Sequence, residues 1–338
     1  FYPVIGNGTL YRPDNYTPDL KWETTTTYNV GLDWGVMNQR LTGSVDWYYR
    51  KTQDLLNYAP TIAMSAFRNQ AWQNIGSLEN KGIELSLDWK AIRTKDLFWT
   101  LNYNFTYNKN EITDLSGVST DGQPVPNTGI TIGTDKYLQY NQVGQPYNSF
   151  YVYQQVYDQE GRPMEGVYVD RDENGVINAD DKYFFHKPAA DFTFGLNTTL
   201  TYKNWTLAAS GHGSIGNWVY NNVASDGEML ADLWTNSFTS NRLESALWSN
   251  FNQACYLSDY YIKDASFFKF DNVTLGYTFP SLFKDKNERS FGMNIYATVQ
   301  NVATITGYEG LDPEVFSGID NNLYPRPRTY ILGIKFNF

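Results

Sequence analysis

The last nine residues of the chain place the tightest limit on its fold. In the segment 330–338, an apolar side chain occurs at every second position, and side chains alternate across a β-strand. The apolar face carries Tyr330, Leu332, Ile334, Phe336 and Phe338. The opposite face carries Gly333, Lys335 and Asn337, with Ile331 as the exception. Nine residues fit the roughly 9–11 that a tilted β-strand needs to cross a bilayer, although a strand of a soluble sandwich would show the same pattern.

The same alternation recurs along the chain and predicts a series of antiparallel hairpins. Clear examples lie at 28–34, 41–49, 83–89, 99–107, 192–196, 205–209, 273–279 and 291–299. Short turns separate several of them, at Asn38-Gln39, at 93–96 and at 202–204. Longer irregular segments, about 158–190 and 211–262, separate others. Short turns at one rim and long loops at the other are typical of an outer-membrane barrel.

The polar face of these strands favours an outer-membrane barrel over a soluble sandwich. It is built from Asn, Asp, Thr, Glu and Lys, which would cost a few kcal/mol each to bury without partners. Aromatic residues mark strand ends, as at Trp34, Trp89 and Trp99. The sequence therefore predicts an all-β protein, a transmembrane antiparallel β-barrel to which this chain contributes about eleven strands. That number includes weaker strands within 131–143 and 150–157. Short helices are predicted at 229–234 and 241–251.

Composition narrows the function. The 338 residues carry a formal charge of -10, with a pI near 4.7, so a nucleic acid is an improbable partner. No apolar run approaches the roughly 18 residues of a membrane helix. The single Cys255 excludes an internal disulfide framework. The first residues, Phe1-Tyr2-Pro3, have neither the basic region nor the apolar core of a signal peptide, and we expect the sequence to be a mature piece of a longer protein.

One segment has the spacing of a calcium loop. Residues 170–181 present oxygen donors at positions 1, 3, 5, 9 and 12, with a glycine at position 6, as calcium-binding loops do. The predicted ligands are Asp170, Asp172, Asn174, Val176 through its carbonyl oxygen, Asn178 and Asp181. Asp replaces the usual Glu at position 12, which weakens bidentate closure. The alternative is an Asp- and Asn-rich surface turn that holds no ion. The spacing of the oxygen donors in this segment predicts a structural Ca²⁺ site.

Catalytic patterns are missing from the sequence. His186 and His212 lie in separate segments and are expected to be ordinary loop residues. We find neither a nucleophile elbow nor a phosphate-binding glycine loop. The sequence does not predict an enzyme.

Five short segments resemble one family in order and spacing. They are LKWETTT (20–26), IGSLENKGIE (75–84), NVTLGY (272–277), GLDPEV (310–315) and YPRPRTY (324–330). Together they resemble the SusC/RagA family of TonB-dependent outer-membrane transporters, and the resemblance covers nearly all of the chain from Leu20 onward.

The resemblance implies a larger molecule than this chain. Members have a plug domain and a barrel of about 22 strands. Residues 20–338 would form the C-terminal half of that barrel and 1–19 an extracellular loop segment. The N-terminal half would complete the barrel and carry the contact with TonB. A SusD-like lipoprotein would cap the extracellular mouth, outer-membrane lipid would surround the strands, and the cargo would be a glycan or a peptide.

Aromatic residues in the segment 211–262 are candidates for cargo contact, because aromatic faces stack on sugars and pack on peptides. They are Trp218, Tyr220, Trp234 and Trp248. Packing against the lipoprotein or against other loops explains them equally well. Two alternatives to the importer stay open, a soluble calcium-stabilised β-sandwich that binds carbohydrate and a passive pore.

Overall fold

Among the residues that the structure describes, nine long strands form one antiparallel sheet, in which each strand pairs with the long strands before and after it in the sequence. The computed structural model describes residues 2–3, 9–10, 17–60, 70–116, 123–130, 137–233, 241–284, 290–321 and 324–337. The strands are β1 Thr24–Val36, β2 Leu41–Gln53, β3 Ser77–Arg93, β4 Leu97–Asp114, β5 Phe192–Tyr202, β6 Trp205–Ile215, β7 Phe267–Lys284, β8 Ser290–Thr306 and β9 Thr329–Asn337. The predicted all-β class is confirmed, and the C-terminal strand predicted over 330–338 is seen as β9.

The outer face of the sheet is apolar and uncovered. On β9, Leu332 is 77% exposed and Ile334 is 57% exposed, so no other described element packs on them. This face would be unstable in water but suits hydrocarbon. The soluble sandwich is not supported, because its strands would bury such residues against a second sheet.

The inner face carries the polar residues, which bond to one another across strands. Ser44 and Ser86 are joined at 2.8 Å between β2 and β3, and Thr274 and Thr298 at 2.8 Å between β7 and β8. Such cross-strand pairs satisfy polar groups while leaving the face wettable.

The two rims of the sheet differ as the sequence predicts. Short turns connect β1 to β2, β3 to β4 and β5 to β6. The first of them places three consecutive residues at positive φ, Met37 (55°), Asn38 (56°) and Gln39 (61°), which reverses the chain tightly. At the other rim lie four long loops, which we call L1 (54–76), L2 (115–191), L3 (216–266) and L4 (307–328).

The long loops carry short elements of their own. The strands are Leu56–Pro60 and Gln70–Asn74 in L1; Val125–Gly129, Tyr137–Asn141, Ser149–Val152, Gln155–Tyr157, Pro163–Tyr168 and Tyr183–Phe184 in L2; Trp218–Asn221 and Ile262–Asp264 in L3; and Ile319–Asp320 in L4. The helices are α1 Asn222–Gly227, α2 Ala246–Ser249 and the 3-10 turns Ala179–Asp181, Leu230–Leu233 and Asp259–Tyr261. Near the N-terminus, Tyr2–Pro3 pairs with Thr9–Leu10.

L2, L3 and L4 pack into one layer with a hydrophobic core. The residues at its centre include Leu138, Phe150, Tyr220, Phe251 and Tyr261. Hydrogen bonds join distant loops, since Tyr183 donates to Asp259 at 2.6 Å and Ser258 donates to Gln155 at 2.7 Å. The layer is thus folded, and these two hydrogen bonds give buried polar groups of L2 partners in L3.

The middle of the chain departs from the sequence prediction in detail. The expected strands within 131–143 and 150–157 are seen as Tyr137–Asn141, Ser149–Val152 and Gln155–Tyr157, and they lie in small sheets of L2. Over the described residues, the main sheet therefore has nine strands where about eleven are expected. The irregular segment expected from residue 211 begins at 216, because β6 continues to Ile215. The helix expected over 229–234 is seen as the 3-10 turn Leu230–Leu233, with residue 234 outside the described residues, and the one over 241–251 is reduced to α2.

The sheet ends at two edges. Over the described ranges of the chain, the outer edges of β1 and β9 pair with no other strand. Unpaired backbone groups in hydrocarbon cost several kcal/mol each, so both edges require a partner strand. No helix in the described part is long and apolar enough to cross a membrane.

Candidate functional site

A cavity of about 950 Å³ opens on the inner face near the loop rim. The strand register builds its floor by placing Asn104, Gly195 and His212 side by side on β4, β5 and β6. L2 and L4 supply its upper walls. The residues that line it include Asn104, Tyr147, Asn148, Thr193, Asn197, Ser210, His212, Asn217, Asp271, Glu314, Phe316 and Arg326. Its volume is within the roughly 300–1,000 Å³ of ligand sites.

Gly195 keeps the floor of the cavity open. A Cβ at this position would lie 2.8 Å from Oδ1 of Asn104, so any larger residue would push the amide side chain aside. Because glycine has no side chain, Asn104 and His212 face the cavity from either side of a gap.

A network of charges holds L4 against the inner face. Lys269 of β7 is 4% exposed, and its Nζ lies 2.7 Å from Oδ1 of Asp312 and 2.8 Å from Oε2 of Glu314. Arg326 closes the network from the far end of L4, with Nη1 2.9 Å from Oε2 of Glu314. Buried ions need such close partners, so the network determines where L4 lies.

The burial and the basic neighbours of Glu314 both affect its pKa. Partial burial raises the pKa, but the hydrogen bond from Lys269 and the charges of Lys269 and Arg326 outweigh it. The pKa of Glu314 therefore lies below its ordinary value, and the side chain is a carboxylate at neutral pH.

The two histidines differ in their surroundings. His212 lies on β6, where Nδ1 is 2.8 Å from Oδ2 of Asp271, so it is part of the inner wall rather than of a loop. The alternation that places Ser210 on the polar face would also have placed His212 there. His186 is a loop residue, as expected, and burial lowers its pKa, so that its ring is neutral at pH 7.

The predicted calcium loop brings three carboxylates together. Oxygens of Asp170, Asp172 and Asp181 lie within 4.8 Å of one another. The sharp turn occurs at Gly175, whose φ is +83° and whose N–H donates to Asp170 at 2.7 Å. Carboxylate oxygens converging on one point are the donors that calcium prefers, so these residues fit the ion.

The closing residue of this loop is buried and anchored. Asp181 accepts the backbone N–H of Asn178 and of Arg171, each at 2.8 Å. The bond from Asn178 and the other N–H donors hold the pKa of Asp181 below its ordinary value. The side chain of Asn178 accepts from Asp180, and that of Asn174 accepts from Val176, so both amides also shape the turn.

The three described aromatic candidates of L3 do not form one surface. Trp218 stacks on His186, with the ring centroids 3.5 Å apart. Tyr220 is fully buried in the loop core and donates to the carbonyl oxygen of Tyr256, which argues against direct cargo contact. Trp248 is 51% exposed on α2, and Trp234 lies outside the described residues.

Fold and site together define a class, an antiparallel barrel wall with an apolar outer face, a polar inner face and a folded layer of long loops. The sequence matches the TonB dependent receptor-like, beta-barrel family over residues 1–302. The chain belongs to this family, and it is part of an outer-membrane β-barrel.

Individual relatives agree with the family. The chain is 46% identical to the TonB-dependent receptor SusC of Bacteroides thetaiotaomicron, over 97% of its own length and 33% of that protein. It is 30% identical to the TonB-dependent receptor P3 of Formosa agariphila, over 100% of the chain and 36% of the relative. The chain thus spans about a third of the curated relatives it matches.

Solved structures show the same likeness. The RagAB peptide importer in its closed-closed state superposes with a TM-score of 0.75 at 29% identity, covering 94% of this chain and 36% of the other. Its open-open state gives a TM-score of 0.73 at 27% identity, covering 95% and 35%. The resemblance to SusC and RagA is confirmed. These relatives carry receptor and importer names rather than those of enzymes.

Proposed function

We propose that this chain forms the C-terminal half of the barrel of a TonB-dependent importer of oligomeric nutrients, either glycans or peptides. The observation that carries the proposal is the nine-stranded sheet, which is apolar outside, polar inside and open at both edges. A further segment, the N-terminal half of the same transporter, supplies the remaining strands, the plug and the contact with TonB. The chain alone would expose two unpaired edges to lipid.

A SusD-like lipoprotein is the proposed partner over the loop layer. Leu247 and Trp248 project from α2 and are more than half exposed, and Met164 on the neighbouring strand is also exposed. Apolar side chains clustered on a folded loop layer fit a protein surface better than water. Trp248 is therefore assigned to partner contact.

Energy-dependent uptake tests this function. In cells that carry the whole transporter and its lipoprotein, we expect accumulation of a labelled oligomeric cargo to stop when a protonophore removes the inner-membrane potential. We also expect the lipoprotein to copurify with the transporter in detergent. Uptake that continues at the same rate after the protonophore would identify a passive pore and contradict the importer. Deletion of the transporter is the control for other routes of entry.

We also propose that residues 170–181 bind a structural Ca²⁺ through Asp170, Asp172, Asn174, the carbonyl of Val176, Asn178 and Asp181. The convergence of three carboxylates supports this assignment. When bound, the ion offsets their mutual repulsion and stiffens the outer part of L2. The replacement of Glu by Asp at position 12 favours an affinity in the range of extracellular calcium modules, about 10⁻⁴–10⁻³ M.

Calorimetry tests the calcium site. We expect the whole transporter to take up Ca²⁺ with measurable heat, and the double variant Asp170→Asn, Asp172→Asn to lose this heat, because two of the three carboxylates are removed. Asp180→Asn is the control, since it removes a carboxylate from the same loop outside the ligand set and should keep binding. The absence of heat up to millimolar Ca²⁺ would refute the site.

A further inference from the structure

A groove of about 560 Å³, which we call the outer groove, lies on the lipid-facing side of the sheet near the short turns. In one row of paired residues, Ala297 of β8 stands between Leu275 of β7 and Leu332 of β9. Both leucines are exposed, so the small alanine leaves a trough between two projecting apolar side chains. The volume is within the roughly 300–1,000 Å³ of ligand sites, and an apolar trough of this kind suits a hydrocarbon chain.

Aromatic side chains border the outer groove on the side of the short turns. Trp205 packs edge-on against Tyr277, with the ring centroids 4.8 Å apart, and Tyr277 packs edge-on against Phe279 at 4.6 Å. All three residues line the groove. Such aromatic residues are typical of the depth at which lipid headgroups meet hydrocarbon. Leu275 lies two residues deeper than Tyr277, or about 7 Å along the strand, so the groove stays within one leaflet.

The short turns next to this aromatic border are basic, although the whole chain carries a formal charge of -10. The three turns and the residues that flank them hold Arg40, Arg93, Lys95 and Lys203 against one acidic residue, Asp96. In the described part of the chain, none of these five side chains forms an ion pair. Basic side chains at a membrane surface attract the phosphate groups of anionic lipids.

Backbone hydrogen bonds connect two of these turns to the outer groove. The N–H of Lys203 donates to the carbonyl oxygen of Asp96 at 2.7 Å, which places the turn of Lys95 beside the turn of Lys203. The N–H of Thr278 donates to the carbonyl oxygen of Asn204 at 2.9 Å, so the second turn also contacts β7, a strand that lines the groove. A phosphate group held at these turns would therefore lie at the headgroup end of the groove.

The proposed N-terminal half of the transporter leaves this place uncovered. Its strands would join at the free edges of β1 and β9, whereas the two turns belong to β3, β4, β5 and β6 in the middle of the sheet. Its plug would lie on the inner side of the barrel, and the groove is on the outer face. Lipid is therefore what borders the groove in the membrane.

We propose that the outer groove and the two turns bind one anionic glycerophospholipid of the periplasmic leaflet, the leaflet at which the short turns of such barrels lie. One acyl chain lies in the trough over Ala297. The glycerol region packs beside Trp205 and Tyr277, and Lys95 and Lys203 bind the phosphate group. The site needs only the position of the barrel in the membrane and does not depend on the cargo or on TonB.

Native mass spectrometry of the whole transporter in a mild detergent tests the site. The probes are phosphatidylglycerol and phosphatidylcholine with identical acyl chains. We expect phosphatidylglycerol to bind about tenfold more tightly, because only this lipid has a net negative charge for the two lysines. The double variant Lys95→Gln, Lys203→Gln should weaken its binding about tenfold or more and change the binding of phosphatidylcholine little.

A second variant tests the trough. Ala297→Leu fills the space between Leu275 and Leu332, so it should weaken the binding of both lipids about threefold or more. Inorganic phosphate at millimolar concentration should not displace phosphatidylglycerol, because it has no chain to place in the trough.

Matched variants control for general effects of charge and bulk. Lys51→Gln with Lys109→Gln removes the same charge from the half of the sheet near the long loops. Ala303→Leu adds the same side chain to β8 at an exposed position outside the groove. Both should keep the two lipid affinities within about twofold of the parent, a difference below the free energy of one hydrogen bond. Gel mobility before and after boiling should show that every variant folds as the parent does.

Several outcomes would overturn the lipid site. Equal affinity of the parent for the two lipids, or unchanged binding in the lysine variant or in Ala297→Leu, would leave a surface that lipid merely surrounds. Displacement by inorganic phosphate would leave a plain anion site. None of these results touches the importer proposal, which depends on protonophore-sensitive uptake. Loss of that sensitivity with intact phospholipid binding would instead remove the importer and leave the lipid site.

Discussion

Replacing Leu196 by Arg is expected to destabilise the assembled barrel by about 2–4 kcal/mol, the cost of a cation on the lipid face near the middle of the membrane. Leu196 lies halfway along β5 and is exposed on the outer face, beside Tyr103 of β4 and Gly211 of β6. Water lies only beyond the two ends of the strand, so the guanidinium must either bring water molecules into the hydrocarbon region or remain unsolvated. This substitution tests directly which face meets lipid.

The matched control is Thr199→Arg. Thr199 lies on the same strand three residues further along and on the opposite, inner face. There the added cation stays in a polar surrounding and should cost little. We would compare the folded fractions of both whole-transporter variants in outer-membrane extracts, using their different mobility on gels before and after boiling. Equal folded fractions for Leu196→Arg and Thr199→Arg would refute the assignment of the faces.

Lys269→Met is expected to lower stability by about 3 kcal/mol, as the removal of one partner from a buried ion pair does. Lys269 is 4% exposed, and its loss leaves the carboxylates of Asp312 and Glu314 without the ammonium group that lies between them. Two carboxylates that both lie within hydrogen-bond distance of the same ammonium group repel each other once that group is removed. We therefore expect L4 to detach from the inner face and its backbone amides to exchange hydrogen faster, which mass spectrometry of peptides from 307–321 would measure.

An exposed ion pair is the control for Lys269. Lys109 lies 3.4 Å from Glu111 with about half of its side chain in solvent, so Lys109→Met should change stability by about 0–1 kcal/mol. Thermal unfolding of the two variants gives the comparison. If Lys269→Met melts with the parent protein and hydrogen exchange in L4 is unchanged, the network does not hold the loop.

The alternation of apolar and polar residues predicted the barrel strands and their faces correctly, because each strand position faces either lipid or the inner side whatever its neighbours are. Leu332 and Ile334 on β9 are examples, and their exposure in the structure agrees with the prediction. The convergence of the carboxylates in the loop 170–181 could also be predicted from the sequence, since all of these residues lie within one short loop.

The loop layer and the cavity depended on contacts that no local pattern contains. Gln155 meets Ser258 across 103 positions, and Lys269 meets Asp312 across 43. The burial of Tyr220 follows from the packing of L2, L3 and L4 against one another, so its aromatic character said nothing about whether it reaches a ligand. His212 was misplaced in a loop because the glycines around it hide the apolar half of the alternation on β6.

Strand identity and the direction of each side chain were therefore contained in the order of residues, since a period of two follows from backbone geometry within a single strand. The cavity is different in origin. It exists because strand pairing sets Asn104, Gly195 and His212 in one row and because charges on L4 find Lys269 on β7. Those distances are fixed only when remote parts of the chain pack together, and the energy that fixes them comes from contacts between strands and loops rather than from any one segment.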